Sequence, residues 1–183
     1  MQKAAIFLAP GLEEIEALTV VDLLRRADIE IAMISISDDL QVTGSHNIQI
    51  CADKKWSEAE FEEVDMIILP GGVPGTKNLE AHEPLLQKIV AFHEEKKYIS
   101  AICAAPSILG HLGILKGKNA CCYPDYESHL KGAIVTQNEV EVSEHIITSR
   151  GMGCAIPFGL AIVERFRGKQ IAESLSKKII YKQ

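Results

Sequence analysis

Residues 66–72 of the chain are Met-Ile-Ile-Leu-Pro-Gly-Gly. Four consecutive apolar residues without polar alternation predict a strand that is buried on both faces, and the Pro-Gly-Gly that follows predicts its end. Predicted strands and predicted helices alternate around this run. The strands are predicted at 4–8, 29–36 and 98–102, and the helices at 13–27, 84–97 and 105–112. Strands buried on both faces that alternate with helices predict an α/β fold with a mostly parallel sheet and helices on both faces.

The other predicted elements are weaker. They are a side hairpin from 41–42 and 48–50, strands at 120–123, 134–136 and 146–148, a helix at 156–166, and an amphipathic stretch from Lys169. No linker, repeat or low-complexity tract interrupts the pattern, so we expect one domain over 1–183. In open α/β sheets the functional loops lie at the carboxyl ends of the strands. We therefore expect the chemistry in the loops after Leu8, Leu69, Ile102 and Tyr123.

Composition excludes several classes of protein. The 183 residues are 47% hydrophobic, and 19 Lys plus Arg against 25 Asp plus Glu give a net charge of −6. A negative surface repels phosphate backbones and anionic lipids, so nucleic-acid and membrane partners are not expected. No apolar run approaches the roughly 20 residues of a membrane span, and no signal peptide is expected. Five cysteines without framework spacing suit reduced thiols in a cytoplasm.

The most specific feature is a cysteine at a junction between a strand and a helix. Ser100-Ala101-Ile102-Cys103-Ala104-Ala105-Pro106 leaves almost no residues to connect the two elements. The small residues around Cys103 are those that a tight, strained elbow requires. A thiol at a helix N-terminus lies at the positive end of the helix dipole, which predicts a pKa lowered into the ~3.5–7.5 range. A small, inert core cysteine is the alternative explanation.

Two further loops carry candidate groups. Glu13, Glu14 and Glu16 follow the first strand; acidic residues in a first helical turn complement the dipole, whereas Glu16 is expected to point toward the carboxyl edge of the sheet. Gly71 and Gly72 let backbone N–H groups face a site, as an oxyanion hole requires. A phosphate-binding P-loop is excluded, since residues 76 and 78 are Thr and Asn where that motif needs Gly and Ser or Thr.

The histidines and the possible metal-binding motifs do not identify a site. The six histidines are scattered, and none is placed by the sequence as a partner for Cys103. His93-Glu94 begins like a zinc-protease helix but lacks the second histidine, and Cys121-Cys122 is a poor metal clip because the two are adjacent. We expect no metal ion and no cofactor at the site.

Taken together, the loops resemble those of the ThiJ/PfpI family, and within it the branch of the Parkinson-disease-associated protein deglycase. The resemblance rests on four segments that occur in family order along nearly the whole chain: Glu13-Glu14-Ile15-Glu16, Leu69-Pro70-Gly71-Gly72, Ala101–Pro106 and Thr148-Ser149-Arg150-Gly151. It implies a flavodoxin-like three-layer sandwich, of the kind seen in class I glutamine amidotransferases, that forms a homodimer. Arg26 and Arg150 match basic positions that the family carries near its dimer interface and site.

The resemblance also assigns roles. Cys103 would be the nucleophile, Glu16 a protonated carboxyl bonded to the sulfur, and the N–H groups of Gly72 and Ala104 the oxyanion site. Two departures matter: Ala104 stands where the peptidase branch has histidine, and Tyr123 stands where the deglycase branch often has histidine. Proteolysis is therefore disfavoured. Since a phenol is a poor base near neutral pH, acid–base work is left to Glu16.

Two functions remain open on these residues. The first is a cofactor-independent glyoxalase or deglycase, in which Cys103 attacks small reactive dicarbonyls such as methylglyoxal or their amine and thiol adducts. The second is a redox sensor or stress chaperone that works through oxidation of Cys103. A role in thiazole or thiamine synthesis, implied only by the family name, ranks last with the peptidase activity.

Overall fold

The computed structural model describes residues 2–181, so Met1 and the last two residues of the predicted domain lie outside it. The strands are β1 (Lys3–Leu8), β2 (Glu30–Ser35), β3 (Gln41–Thr43), β4 (Gln49–Cys51), β5 (Lys54–Lys55), β6 (Met66–Leu69), β7 (Tyr98–Ile102), β8 (Asn119–Ala120), β9 (Ile134–Val135), β10 (Val140–Ser143) and β11 (Ile146–Ser149). The α-helices are α1 (Glu14–Arg26), α2 (Gly75–Ala81), α3 (Glu83–Glu94), α4 (Pro106–His111), α5 (Ala155–Arg167) and α6 (Lys169–Lys178). Short 3₁₀ helices occupy 56–58, 127–129 and 152–154.

The central sheet has seven strands in the order β10-β11-β7-β6-β1-β2-β5. Every neighbouring pair is parallel except β10 with β11, which is antiparallel. Leaving out the edge strands β5 and β10, the parallel strands follow the order 2-1-3-4-5 of flavodoxin-like folds. The predicted α/β flavodoxin-like architecture is confirmed.

Helices cover both faces of the sheet because its strands are apolar on both sides. Along β1, Ile6 and Leu8 face a core that includes Leu24 of α1 and Phe158 of α5. Ala5 and Phe7 face the opposite core, which is closed by α3 and α4. Three layers result, and the carboxyl ends of β1, β6, β7 and β11 lie along one edge of the sheet. Among the described residues, no helix is long and apolar enough to cross a membrane.

The predicted strand at 120–123 is mostly wrong. Only Asn119–Ala120 forms a strand, and it pairs with β9 in a separate small sheet. Beyond Ala120 the backbone N–H of Cys121 donates to the Thr148 hydroxyl (3.0 Å) and that of Tyr123 to the Cys103 carbonyl (2.8 Å). Tyr123 therefore lies in a loop, not at the end of a strand of the main sheet.

Three elements were not predicted: helix α2 and the edge strands β5 and β10. The seven residues of α2 are Gly-Thr-Lys-Asn-Leu-Glu-Ala, with too few apolar positions to show helical spacing. Strand β5 has two residues, and both are lysines. Neither segment carries the apolar pattern on which the prediction relied.

Candidate active site

Cys103 lies at the elbow between β7 and α4. Its φ is +65°, in the left-handed region that a residue with a side chain rarely adopts. Both of its backbone groups are held: its N–H donates to the Ser149 carbonyl (3.0 Å), and its carbonyl accepts from the N–H of Tyr123 (2.8 Å). The strained conformation is thus fixed by β11 on one side and by the loop after β8 on the other.

Glu16 approaches this cysteine from the first turn of α1. Glu13 caps the helix, and its side chain accepts the N–H of Glu16 at 2.7 Å. Glu16 is 1% exposed, and its Oε2 accepts the backbone N–H of Gly71 at 2.9 Å. Its other oxygen, Oε1, has no hydrogen-bond partner within residues 2–181. A carboxyl in this setting is a candidate for carrying a proton to or from a bound molecule.

The two glycines after β6 make the space for the pair. A Cβ on Gly71 would lie 2.5 Å from the Cβ of Cys103 and 2.6 Å from Oε2 of Glu16, so any side chain there would displace the site. Gly72 has a φ of +94°, and its Cβ would lie 2.4 Å from the backbone nitrogen of Glu13. Residue 71 must therefore be glycine so that Cys103 and Glu16 can approach each other. Residue 72 must be glycine so that the backbone can pack against the start of α1.

The carboxyl and the thiol titrate as a coupled pair. Burial, followed by the charge of Glu13, raises the pKa of Glu16 to about 7, against the opposing hydrogen bonds to Cys103 and Gly71. Burial and the adjacent Glu16 raise the pKa of Cys103 to about 12, against the opposing backbone N–H groups of Gly72 and Ala104. Between these two values the pair holds one proton and one negative charge.

The expectation that the helix dipole lowers the pKa of the Cys103 thiol is wrong. Helix α4 has only six residues, and the loss of water at the sulfur, followed by the negative charge of Glu16, raises the pKa of the thiol instead. The same contacts show what favours a thiolate here. The N–H groups of Gly72 and Ala104, expected to bind an oxyanion, point to the sulfur, and they stabilise its charged form.

Tyr123 borders the same space. A Cβ on Gly151 would lie 3.3 Å from the Tyr123 ring and 4.0 Å from Oε1 of Glu16. The backbone of Gly151 is therefore close to both side chains. Tyr123 is half exposed. Sequence reasoning missed Gly151 as part of the site, although it closes the Thr-Ser-Arg-Gly segment on which the resemblance partly rests.

The structure separates the two arginines. Arg150 directly follows β11 at the carboxyl edge of the sheet, where it donates a long hydrogen bond to the Gln137 carbonyl (3.5 Å). Arg26 lies ten residues along α1 from Glu16, a rise of about 15 Å, and pairs with Asp22 on the helix surface. Only Arg150 is on the same edge as the thiol.

Glu13, Glu14 and His46 are the one trio of metal-ligand side chains among the described residues whose donor atoms all lie within 4.8 Å of one another. Hydrogen bonds already engage the carboxylates. Glu13 caps α1, and the buried Glu14 accepts from the N–H and the Nδ1 of His46 at 2.8 and 3.0 Å. These bonds, opposing the effect of burial, lower the pKa of Glu14 to about 2. Glu14 therefore fastens the 44–48 turn to α1.

Comparison with known proteins identifies relatives of the chain. The model of the DJ-1/PfpI family matches residues 2–165. Protein DJ-1 homolog B of Arabidopsis thaliana is 36% identical over 171 residues, which are 93% of this chain and 39% of that protein; the chain thus spans about two fifths of this plant relative. The glutathione-independent glyoxalase DJR-1.2 of Caenorhabditis elegans is 31% identical over 97% of this chain and 96% of its own length. The structure of oxidized DJ-1 from Toxoplasma gondii superimposes with a TM-score of 0.95 at 33% identity and covers 100% of both chains.

Proposed function

The chain belongs to the DJ-1/PfpI family, and we propose that it is a cysteine-dependent, cofactor-independent glyoxalase or deglycase. Its substrates are methylglyoxal-type dicarbonyls or their adducts with amines and thiols. The name of the nematode relative, a glutathione-independent glyoxalase, supports the substrate class.

One observation carries the proposal: Cys103 and Glu16 share a single proton near neutral pH. The order of the two pKa values leaves that proton mainly on Cys103, and its transfer to Glu16 gives the reactive form, a thiolate nucleophile beside an acid. The N–H groups of Gly72 and Ala104 favour this arrangement because they stabilise negative charge on the sulfur. Oε1 of Glu16 is buried and has no partner within residues 2–181, so we assign it the bond to an oxygen of a substrate carried on Cys103.

The proposed reaction balances with these two groups and water. The Cys103 thiolate forms a C–S bond to the aldehyde carbon of methylglyoxal, and Glu16 protonates the resulting alkoxide. The Glu16 carboxylate then removes the hydrogen of that carbon and returns it to the neighbouring carbon through an enediol, which leaves a lactoyl thioester on Cys103. Water adds to the thioester carbon and the C–S bond breaks with its electron pair on sulfur; one proton of the water returns to Glu16, and the other leaves to solvent with lactate, which restores the thiolate and the carboxyl.

The test is methylglyoxal consumption with lactate detection in metal-free buffer without added thiol. Cys103→Ala and Glu16→Gln are expected to lose turnover, and Cys51→Ala, which removes an exposed thiol, is the matched control that keeps it. Wild-type turnover no higher than that of Cys103→Ala would refute the proposal. Loss in Cys103→Ala with full turnover in Glu16→Gln would refute the role given to Glu16.

A redox-sensing function is the second candidate, and Oε1 of Glu16 also favours this function. A protonated Glu16 with a free Oε1 is placed to donate a hydrogen bond to an oxygen added to Cys103. Titration with peroxide followed by intact mass separates the two functions. A stable gain of two oxygens confined to Cys103, in a protein that does not turn over methylglyoxal, favours sensing.

We also propose that the chain forms a homodimer and works in the cytoplasm. The outer face of α1 exposes Ile15 and Leu18, and Leu18 shares a surface cavity of about 460 Å³ with Ile156 and Ile179. All five cysteines are free thiols, which supports a reducing compartment. Light scattering should find a dimer that Leu18→Glu converts to monomer, whereas Ile134→Glu, which changes an exposed residue of β9, leaves it intact.

A further inference from the structure

Away from the thiol site, the fold brings together histidines that lie far apart in the sequence. His111, at the end of α4, places its Nε2 3.0 Å from the Nδ1 of His129, which ends a 3₁₀ helix. Glu80 of α2 hydrogen-bonds the other ring nitrogen of His111 through its Oε1. Both imidazoles are surface residues, so molecules in solution have access to them. We call Glu80, His111 and His129 the histidine cluster.

The hydrogen bonds decide which ring nitrogens carry lone pairs. Because a carboxylate only accepts, Nδ1 of His111 carries the proton in the bond to Glu80, and Nε2 of the neutral ring is left with a lone pair. Nδ1 of His129 then donates to it. If the His129 proton moves to its own Nε2, the two lone pairs point nearly at each other across 3.0 Å, and a small rotation of both rings turns them toward one ion. A carboxylate that orients a histidine in this way is the usual second partner of a metal-binding imidazole.

The two rings are also held by the backbone. Gly110 packs so closely against the 127–130 turn that a Cβ there would lie 2.1 Å from the carbonyl oxygen of His129. The ring of Tyr126 lies against that of His129, with centroids 5.6 Å apart. The pair is therefore preorganised by packing.

We propose that the histidine cluster binds a divalent late transition-metal ion through Nε2 of His111 and Nδ1 of His129, with water filling the other positions. At imidazole–metal distances of about 2.0–2.1 Å, nitrogens 3.0 Å apart subtend an angle of about 94° at the ion. That angle suits the cis positions of square-planar or octahedral ions such as Ni²⁺ and Cu²⁺; a tetrahedral ion such as Zn²⁺ needs nitrogens about 3.3 Å apart. The ion would join α4, which starts at the Cys103 elbow, to the 127–130 turn.

A second histidine pair provides the internal comparison. Nδ1 of His93 lies 2.9 Å from Nε2 of His145, but His145 is buried and Glu144, 3.9 Å from its Nδ1, pairs with Lys118. Its second ring nitrogen thus lacks a carboxylate within hydrogen-bond distance, and its ring lacks an open side. The proposal places the ion on His111 and His129 and not on this pair.

The test is calorimetric titration of untagged protein with NiCl₂ near pH 7.5, repeated with ZnCl₂. One Ni²⁺ per chain is expected, bound more tightly than Zn²⁺. His111→Ala and His129→Ala should each weaken Ni²⁺ binding at least 10-fold, and Glu80→Gln roughly 10-fold, the usual effect of removing an orienting partner. His93→Ala and Cys103→Ala are expected to bind as wild type does. Binding should weaken as the pH is lowered to 5, because protons compete with the metal ion for its ligand nitrogens.

Several results would overturn the proposal. They are an absence of saturable Ni²⁺ binding up to roughly 1 mM, equal affinity in wild type and both histidine variants, or loss of binding in Cys103→Ala or His93→Ala instead. Circular dichroism of each variant separates lost binding from lost fold. Glu80→Gln keeps the size of the side chain and serves where an alanine variant does not fold.

Discussion

Replacing Glu16 by glutamine should stabilise the protein at neutral pH while it removes the proposed acid. A carboxyl whose pKa is about 7 in the folded chain and 4.5 in the unfolded chain opposes folding once it ionises. At roughly 1.4 kcal/mol per pKa unit, the cost reaches about 3 kcal/mol above pH 7. Below pH 4.5 the carboxyl is mainly protonated in both states and costs little, so the contribution of Glu16 to wild-type stability falls between pH 4.5 and 7. Glutamine does not ionise, so Glu16→Gln does not lose this contribution to stability as the pH rises.

The assay is urea unfolding of wild type and Glu16→Gln at several pH values from 4.5 to 7.5, at one protein concentration. The quantity that decides is the difference in unfolding free energy between the two proteins, since a constant offset reflects only altered packing. That difference should grow by about 3 kcal/mol in favour of Glu16→Gln, or about 6–12 °C in Tm for a chain of this size. Glu62→Gln, which changes an exposed carboxylate, is the control and should follow wild type. A difference that does not change with pH would refute the raised pKa of Glu16.

Three other predictions follow from the site. Turnover of methylglyoxal should rise with pH through about 7, as the coupled pair loses its first proton, and a flat profile from pH 6 to 8 would contradict the shared proton. Gly71→Ala should abolish turnover in a folded protein, because the added Cβ displaces Cys103 and Glu16. Gly72→Ala should instead lower the free energy of unfolding by several kcal/mol in urea, because its Cβ meets backbone atoms at a φ of +94°. Cys103→Gly should be more stable than Cys103→Ala by about 1 kcal/mol of unfolding free energy, measured by urea unfolding, because glycine adopts a φ of +65° without strain. Equal urea midpoints for the two variants would show that the elbow is not strained.

Much of the fold was predictable because its strands are short and apolar on both faces. The runs at 4–8, 66–69 and 98–102 lie within strands or coincide with them, since a strand between two layers of helices buries both faces of such short segments. The strand predicted at 120–123 stops after Ala120, where the N–H groups of Cys121 and Tyr123 bond to Thr148 and Cys103, contacts that a sequence does not show. Apolar composition indicates burial, whereas the partner of each N–H depends on the tertiary fold.

The position of the site was predictable, but its electrostatics were not. Cys103 and Glu16 could be named from a tight elbow and an acidic first turn, because strand ends meet at one edge of a parallel sheet. The sign of the thiol's pKa shift could not, since it depends on whether the carboxyl or the helix dipole lies nearer the sulfur and on how far water is excluded. The histidine cluster was missed for a related reason: Glu80, His111 and His129 come from three separate elements and form no spaced motif.

Several unfavourable features of this fold coincide at one point, and their coincidence is itself evidence of function. Cys103 adopts a left-handed conformation, Glu16 is buried and forms no ion pair within residues 2–181, and a side chain at residue 71 would overlap both of them. Each feature alone has a cheaper alternative: glycine at the elbow, glutamine in α1, or a longer loop after β6. Each alternative would remove the thiol, its proton partner or the closeness of the two. Three departures from local stability rules in one cluster, in a chain whose cores follow those rules, support the proposed chemistry at Cys103 and Glu16.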